Sequence, residues 1–116
     1  MNAVAKACAW LVSAQNEDGS WGGCVHGKSS VEETALATEA LSEVLLELEN
    51  VPEKAVVKEA VRRGTAWLLE KIESGDWTQP SPIGFYFAKL WYYEKLYPII
   101  FTAGALRAVS RLSGKA

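Results

Sequence analysis

Apolar residues recur along this chain at intervals of three and four, the spacing that puts side chains on one face of a helix. Three segments carry the pattern, residues 2–14, 30–49 and 53–73. A fourth helix is predicted over 98–112, because proline suits the first turn of a helix, where no backbone N–H is needed. The sequence therefore predicts an all-α chain with about four to five helices.

Residues typical of helix ends and loops separate these segments. Ser30 is a candidate N-cap for the second helix, and Glu33 follows it at the spacing of a capping box. Residues 74–84, "SGDWTQPSPIG", are predicted to form a loop because prolines and glycine interrupt them.

The aromatic stretch "FYFAKLWYYEKLYPIIF", residues 85–101, fits two structures. As a helix it places Tyr86, Leu90, Tyr93 and Tyr97 on one stripe. As a strand, which its aromatic content also favours, it places Tyr86 and Tyr93 on opposite faces. The sequence leaves both alternatives open, and it also leaves open whether these rings simply fill a core.

An internal duplication organises the chain. "VAKACAWLVSAQNEDGSW" (4–21) aligns with "VRRGTAWLLEKIESGDW" (61–77), and "TALATEAL" (34–41) resembles "TAGALRAV" (102–109). Each copy is predicted to be an α-hairpin, repeat 1 spanning about 2–49 and repeat 2 about 53–112. Residues 1–116 then form a single partial domain of a repeat architecture.

A tryptophan in a glycine turn needs a packing partner, and Gln15 offers one. Its amide lies at a helix end, where carbonyl and N–H groups lack intrahelical partners. We expect this amide to bridge two helices and the Trp21 indole to stack on it. The second copy of the turn, at Trp77, supports a shared structural role.

Two charge stripes recur every four residues on the second and third predicted helices. The acidic stripe is Glu39, Glu43 and Glu47, and the basic stripe is Lys54, Lys58 and Arg62. Two interpretations remain open: the stripes face each other across antiparallel helices, or both are solvated. Exposed pairs would contribute only ~0–1 kcal/mol each.

Composition narrows the functional classes. The net charge of −2 argues against a nucleic-acid binder, which usually carries a basic stripe. No apolar run reaches the ~20 residues that span a bilayer, and the start lacks the pattern of a secretory signal. With only two cysteines, a disulfide scaffold is not expected, so a cytoplasmic location is predicted.

The repeated turn resembles the QW repeat of triterpene cyclases, the squalene–hopene and oxidosqualene cyclases among them. The first copy has Ala7 where a Gly is usual, and the second has Ile72 in place of the Gln. "KSSVEETALATEAL" (28–41) and "YYEKLYPIIFTAGAL" (92–106) also resemble segments of these enzymes. The residues that the resemblance assigns to structural QW staples are Trp10, Gln15, Gly19, Trp21, Trp67, Gly75 and Trp77.

The resemblance implies an α/α toroid, formed with further hairpins, around a polyprenyl or triterpene hydrocarbon. In the family this substrate is cyclised, an isomerase-type reaction without a cofactor. Aligned through Pro98, Tyr86 and Tyr93 occupy positions of cavity-lining aromatics, with Trp91 as a further candidate. The intact enzymes tend to be peripheral to membranes.

One departure from the family concerns catalysis. The proton donor is an upstream D-x-D-D motif, whereas this chain has only Asp18 and Asp76, each in a predicted turn. We therefore expect no catalytic residue here and no cyclisation by the chain alone. The alternative is a stand-alone helical-repeat module that self-associates or binds a partner or lipid without catalysis.

His26, in "CVHGK", raises the question of a zinc site with Cys8, because related toroid proteins bind zinc. A single C-x-H without a second ligand pair does not match the usual spacing of four ligands. No metal site is predicted.

Overall fold

The structure is a computed structural model that describes residues 3–23, 25–48, 50–75, 83–85, 90–92 and 97–115. The helices of this part of the chain are α1 (Ala3–Ala14), α2 (Val31–Glu47), α3 (Lys54–Ser74) and α4 (Tyr97–Lys115). Two three-residue strands, β1 (Ile83–Phe85) and β2 (Leu90–Tyr92), lie between α3 and α4. The predicted all-α class is confirmed, and the helix bounds lie within a few residues of the predicted ones.

The two strands form an antiparallel pair in which Gly84 is opposite Trp91. The other two residue pairs are Ile83 with Tyr92 and Phe85 with Leu90. For Phe85 and residues 90–92 the alternative left open by the sequence is decided in favour of strand, whereas Ile83 and Gly84, at the end of the predicted loop 74–84, belong to β1 instead. The sheet is a small addition to a helical fold.

Helices α2 and α4 run in the same direction and pack closely. A Cβ atom on Gly104 of α4 would lie 2.9 Å from a carboxylate oxygen of Glu39, so glycine allows this approach. Further along both helices, Nη1 of Arg111 lies 3.4 Å from Oε1 of Glu43. Ala105 and Ala108 of α4 are fully or almost fully buried. Small side chains therefore bring the two backbones together, as the Ala- and Gly-rich sequences suggest.

Helix α1 runs parallel to α3 and lies beside it. Ala5 and Cys8 line a groove with Pro52 and Val57 near the start of α3. A cluster of buried side chains contains Cys8, Leu41, Leu45 and Val57, and thus joins α1, α2 and α3. The chain forms two layers, with α1 and α3 in one and α2 and α4 in the other.

Helix α2 is antiparallel to α3. Its first turns, Val31 and Ala35, pack with Trp67 and Leu68 late in α3. The same cluster includes Ala105 of α4. Each buried aliphatic side chain of Val or Leu size contributes roughly 1.5–3 kcal/mol to folding. This core fixes the end of α3 against the start of α2, the region on which the candidate site is built.

The N-cap prediction for α2 is confirmed in part. Ser30 is extended at φ −139°, and its Oγ accepts a hydrogen bond from the Glu33 N–H at 3.0 Å. The reciprocal half of the capping box is replaced, because the Ser30 N–H donates to the carbonyl of Trp21 at 3.1 Å. The turn that precedes α2 is thus tied directly to its N-terminus.

The ion pairs described join the acidic stripe to α4 and not to the basic stripe of α3, which was one of the two alternatives left open. Glu43 and Glu47 lie within 3.4 and 3.9 Å of the Arg111 guanidinium of α4. Arg62 of α3 pairs with Glu59 of its own helix at 2.6 Å. The acidic stripe is directed at α4 because α4, and not the polar face of α3, lies beside it. These pairs are exposed, so each contributes little to stability.

Candidate functional site

The segment 15–21, which follows α1, completes the C-terminal end of that helix. The last carbonyls of a helix have no intrahelical donors. Here the carbonyl of Leu11 accepts from Nε1 of Trp21 at 2.8 Å, and the carbonyl of Ala14 accepts from the backbone N–H of His26 at 3.4 Å. Trp21 is 3% exposed. Its indole N–H therefore caps α1 while its ring is buried.

Gln15 joins this turn to α3. The side chain is buried, and its Nε2 donates to the carbonyl of Gly19 at 2.9 Å and to the carbonyl of Ala60 at 3.0 Å. Its Oε1 accepts from Nη1 of Arg63 at 3.4 Å. An amide offers two donor hydrogens and one acceptor oxygen, and all are used. The bridge predicted between two helices is present, with a guanidinium as the donor where a helix N–H was expected.

Arg63 holds the backbone of the same turn. Its Nη2 donates to the carbonyl of Asn16 at 3.1 Å and to the carbonyl of Glu17. A planar guanidinium with five N–H groups suits several acceptors at once. We call segment 15–21 packed on residues 60–67 of α3 the hairpin junction. It links α1 to α3 through polar contacts between residues distant in sequence.

Two glycines allow the close approach in the junction. Gly19 has φ +97°, a left-handed conformation that favours glycine, and a Cβ there would lie 2.6 Å from the Arg63 carbonyl oxygen. A Cβ on Gly64 would lie 3.0 Å from Cζ3 of Trp21 and 2.5 Å from Oγ1 of Thr38. The turn, the indole and α2 therefore meet the backbone of α3 directly.

Asp18 shapes the turn. Its Oδ1 accepts from the Ser20 N–H at 3.0 Å and from the Ser20 hydroxyl at 2.6 Å. Burial raises the pKa of Asp18, but hydrogen bonds from Ser20, and from the side chain of Trp67, outweigh it, so that the net pKa lies below its ordinary value. The carboxylate is ionised at neutral pH. Asp18 thus makes the turn-forming contacts that the sequence predicts.

The first tryptophan of the repeated motif, Trp10 in one copy and Trp67 in the other, differs in solvent exposure between the copies. Trp67 of repeat 2 is 8% exposed, whereas Trp10 of repeat 1 is 53% exposed. The Trp21 indole bonds to the Leu11 carbonyl and lies beside Gly64, and its stacking on the Gln15 amide stays a prediction. Gly75, like Gly19, has a positive φ, at +83°.

Several predicted residues fall outside the described part of the chain. These are Asp76, Trp77, Tyr86 and Tyr93. Trp91 is described as a backbone position in β2. The role of the aromatic segment as a cavity wall therefore stays a prediction.

The sequence analysis missed Thr34 as a member of the junction. Its Oγ1 accepts from the Trp21 N–H at 2.9 Å, and the residue is fully buried. Thr38 and Ser42, the next residues at intervals of four, are also fully buried. This line of hydroxyl groups on an otherwise apolar face of α2 is the signal that was available in "TALATEALS".

The described residues contain no group of three or more His, Cys, Asp or Glu side chains arranged to hold a metal ion. His26 is exposed in the loop before α2, and Cys8 is buried in the core. Burial raises the pKa of the Cys8 thiol. Among the described residues, no helix has the length and apolar character needed to cross a membrane.

Comparison with known proteins identifies the family. The family model "Squalene-hopene cyclase C-terminal domain" matches residues 1–111. No curated protein and no solved structure matches the chain significantly. The matched segment includes α1, α2, α3, the hairpin junction and the aromatic stretch. The chain therefore belongs to the squalene-hopene cyclase C-terminal domain family.

Proposed function

We propose that this chain forms the C-terminal part of a cyclase toroid and contributes to the wall of a cavity for a polyprenyl or triterpene hydrocarbon. The observation that carries the proposal is the family match over residues 1–111. The two-layered arrangement of parallel helices supports it, since inner and outer layers of this kind build an α/α toroid.

In this proposal the cavity-facing groups are Tyr86, Tyr93 and Trp91. Electron-rich ring faces attract a carbocation, by about 2 kcal/mol or more when water is excluded. Aromatic residues at these positions stabilise positive charge as it moves along the hydrocarbon during cyclisation. They take no part in proton transfer.

The chain supplies no proton donor of its own. A general acid must hold its proton at the working pH. Asp18 accepts hydrogen bonds from Ser20, and its pKa lies below the ordinary value, so it is ionised and serves the turn. Cyclisation then requires a segment that carries the D-x-D-D motif, and the chain alone is inactive.

Reconstitution tests this function. The chain is co-expressed with a squalene-hopene cyclase truncated before its own C-terminal domain, and cyclised products of squalene are measured by gas chromatography. We expect product only when both proteins are present. Tyr86→Ala and Tyr93→Ala should each lower product formation up to roughly 30-fold, the equivalent of about 2 kcal/mol. Leu69→Ala, at an exposed position of α3, is the control.

Formation of product by the chain alone would disprove the claim that the chain has no proton donor. Full product from both tyrosine variants would disprove the cavity role, and an absence of product from every combination would disprove the proposal as a whole. In the cell we expect a cytoplasmic location, peripheral to a membrane when the toroid is complete.

A second candidate function is a helical-repeat module that self-associates, or binds a partner or lipid, without catalysis. The observation that favours it is the exposure of Trp10, whose counterpart Trp67 is buried in the same chain.

A further inference from the structure

The side of α1 and α2 that carries Trp10 and Leu36 is exposed, whereas the equivalent side of α3 and α4 is covered by segment 15–21 and the start of α2. Ala60, Arg63 and Gly64 of α3 contact segment 15–21 through the hydrogen bonds and close approaches of the hairpin junction. A shift of 57 residues maps them onto Ala3, Lys6 and Ala7 of α1. These three residues are all exposed.

Apolar residues on this side of α1 and α2 can be compared with their counterparts in α3 and α4. In repeat 2, Trp67 and Ala105 are buried against Val31 and Ala35 of α2. In repeat 1, the matching Trp10 is exposed, whereas Ala37 is itself buried in the core, and both line an open groove of about 250 Å³ between α1 and α2. Leu36, which also lines the groove, is 45% exposed. The equivalent surface of repeat 2, at Trp67 and Ala105, is covered by residues of repeat 1.

The opposite edge of the same chain carries the counterpart of the covering residues. The similarity of residues 34–41 to 102–109 sets a shift of 68, which maps Val31 and Ala35 of α2 onto Ile99 and Ala103 of α4. Both α4 residues are exposed, Ile99 by 37%. Their neighbour Ile100 is 54% exposed. The chain thus exposes two surfaces, the groove beside Trp10 and the Ile99 side of α4, that correspond to the two surfaces in contact between its own repeats.

We propose that the α1–α2 edge of one copy binds the α3–α4 edge of a second copy, head to tail. The Ile99 face of α4 enters the groove beside Trp10 and Leu36. The end of α3 lies on the Lys6 face of α1, where the ammonium group donates to backbone carbonyls as Arg63 does within the chain. This inference locates the self-association of the second candidate function and is independent of the cavity role.

The contact is heterologous, because two different surfaces meet. Each added copy leaves one free edge at either end, so association continues past two copies unless a ring closes. The second copy's turn has Ile72 where the junction uses Gln15, and it lacks the amide that bonds to the partner helix. We therefore expect the contact between copies to be weaker than the one within the chain.

Two single variants and their mixture test the proposal. Leu36→Glu disables the α1–α2 edge, and Ile99→Glu disables the α3–α4 edge. Both positions are exposed, so the fold tolerates the new charge. Light scattering over a dilution series should show wild-type species larger than one chain, and at least 10-fold weaker association for each variant. An equimolar mixture should form a complex of two chains, because each variant keeps the edge that the other lacks.

Leu48→Glu, at another exposed apolar position near the end of α2, is the matched control and should associate like the wild type. Ile72→Gln should strengthen association several-fold. A wild-type chain that stays monomeric at every concentration overturns the proposal. Variants that remain monomeric when mixed, although the wild type associates, also overturn it. Either result leaves the reconstitution test of the cavity role unaffected.

Discussion

Nε2 of Gln15 lies 3.0 Å from the carbonyl oxygen of Ala60, a residue 45 positions further along the chain. That carbonyl belongs to the middle of α3, where it is already positioned for the hydrogen bond to Gly64 that a helix makes. The Gln15 amide donates to the second lone pair of this carbonyl oxygen. One side chain therefore connects the end of the first helix of repeat 1 to the first helix of repeat 2.

Replacement of Gln15 by Leu should destabilise the protein markedly. The Gly19 carbonyl loses a donor inside the junction, and Arg63 loses an acceptor. A buried polar group without its partner costs about 1–3 kcal/mol. We expect a loss of about 2–3 kcal/mol in the free energy of unfolding, measured by urea denaturation.

Ser13→Ala is the control for this loss, because the Ser13 hydroxyl bonds to the Trp10 carbonyl at an exposed site. Its effect should stay within about 0.5 kcal/mol, as is usual for surface substitutions. Equal stability of the Gln15→Leu variant and the wild type would contradict the bridging role.

Gly64→Ala should lower stability although alanine favours helices. The new methyl group would meet Oγ1 of Thr38 at 2.5 Å and the Trp21 ring at 3.0 Å. Such overpacking costs about 1–3 kcal/mol, partly offset by about 1 kcal/mol of helix propensity. Thermal unfolding followed by circular dichroism should show a lower Tm.

Gly114→Ala provides a matched comparison, because Gly114 is exposed in α4 and nothing lies within 4 Å of a Cβ there. This variant should gain up to about 1 kcal/mol from helix propensity. A stabilising effect of both substitutions would mean that the junction around Gly64 has room for a side chain.

Asp18→Asn should weaken the protein at neutral pH but not in acid. The pKa of Asp18 is lowered in the folded state, so its charged form stabilises the fold above an unfolded pKa of about 3.9. This contribution is lost as the pH falls through the lower folded pKa. We expect a lower Tm for the variant at pH 7, and the difference should shrink as the pH falls below about 3.9.

Glu17→Gln, at the neighbouring exposed carboxylate, controls for the loss of a charge in the same turn. A Tm difference between Asp18→Asn and the wild type that does not change with pH would show that geometry, and not ionisation, carries the effect.

Cys8 should resist thiol reagents in the folded protein. The side chain is 5% exposed, and burial raises its pKa, so the reactive thiolate is scarce at neutral pH. In a Cys24→Ser background, reaction with a chromogenic disulfide should be at least roughly 100-fold slower than in the unfolded chain. Similar rates under native and denaturing conditions would place Cys8 outside the core.

The helices were predictable because their signals are local. The apolar spacing and Ser30 mark α2 within three residues of its observed start and end. The strands at 83–85 and 90–92 were not predictable, since short aromatic stretches fit helix and strand equally well. The register of the two strands depends on pairing between residues that no local pattern specifies.

The sequence predicted which residues of the turn belong to the candidate site, but not which residues of α2 and α3 they contact. The repeated turn singled out Gln15, Gly19 and Trp21, and all three lie in the junction. The contacts of Arg63 and Thr34 required the packing of three helices, which sequence spacing does not give. The exposure of Trp10 likewise depends on which edges of the fold are covered, a property of the assembly and not of the motif.

The long sequence separation within the hairpin junction affects the order of folding during synthesis. Segment 15–21 leaves the ribosome well before Arg63 and Ala60, the residues that hold its carbonyls and its amide. At about 5–20 residues per second, the interval over 45 residues is roughly 2–9 s. During that time the Trp21 ring and the Gln15 amide lack their α3 partners, and of the hairpin junction only the contacts of segment 15–21 with α1 and α2 can form.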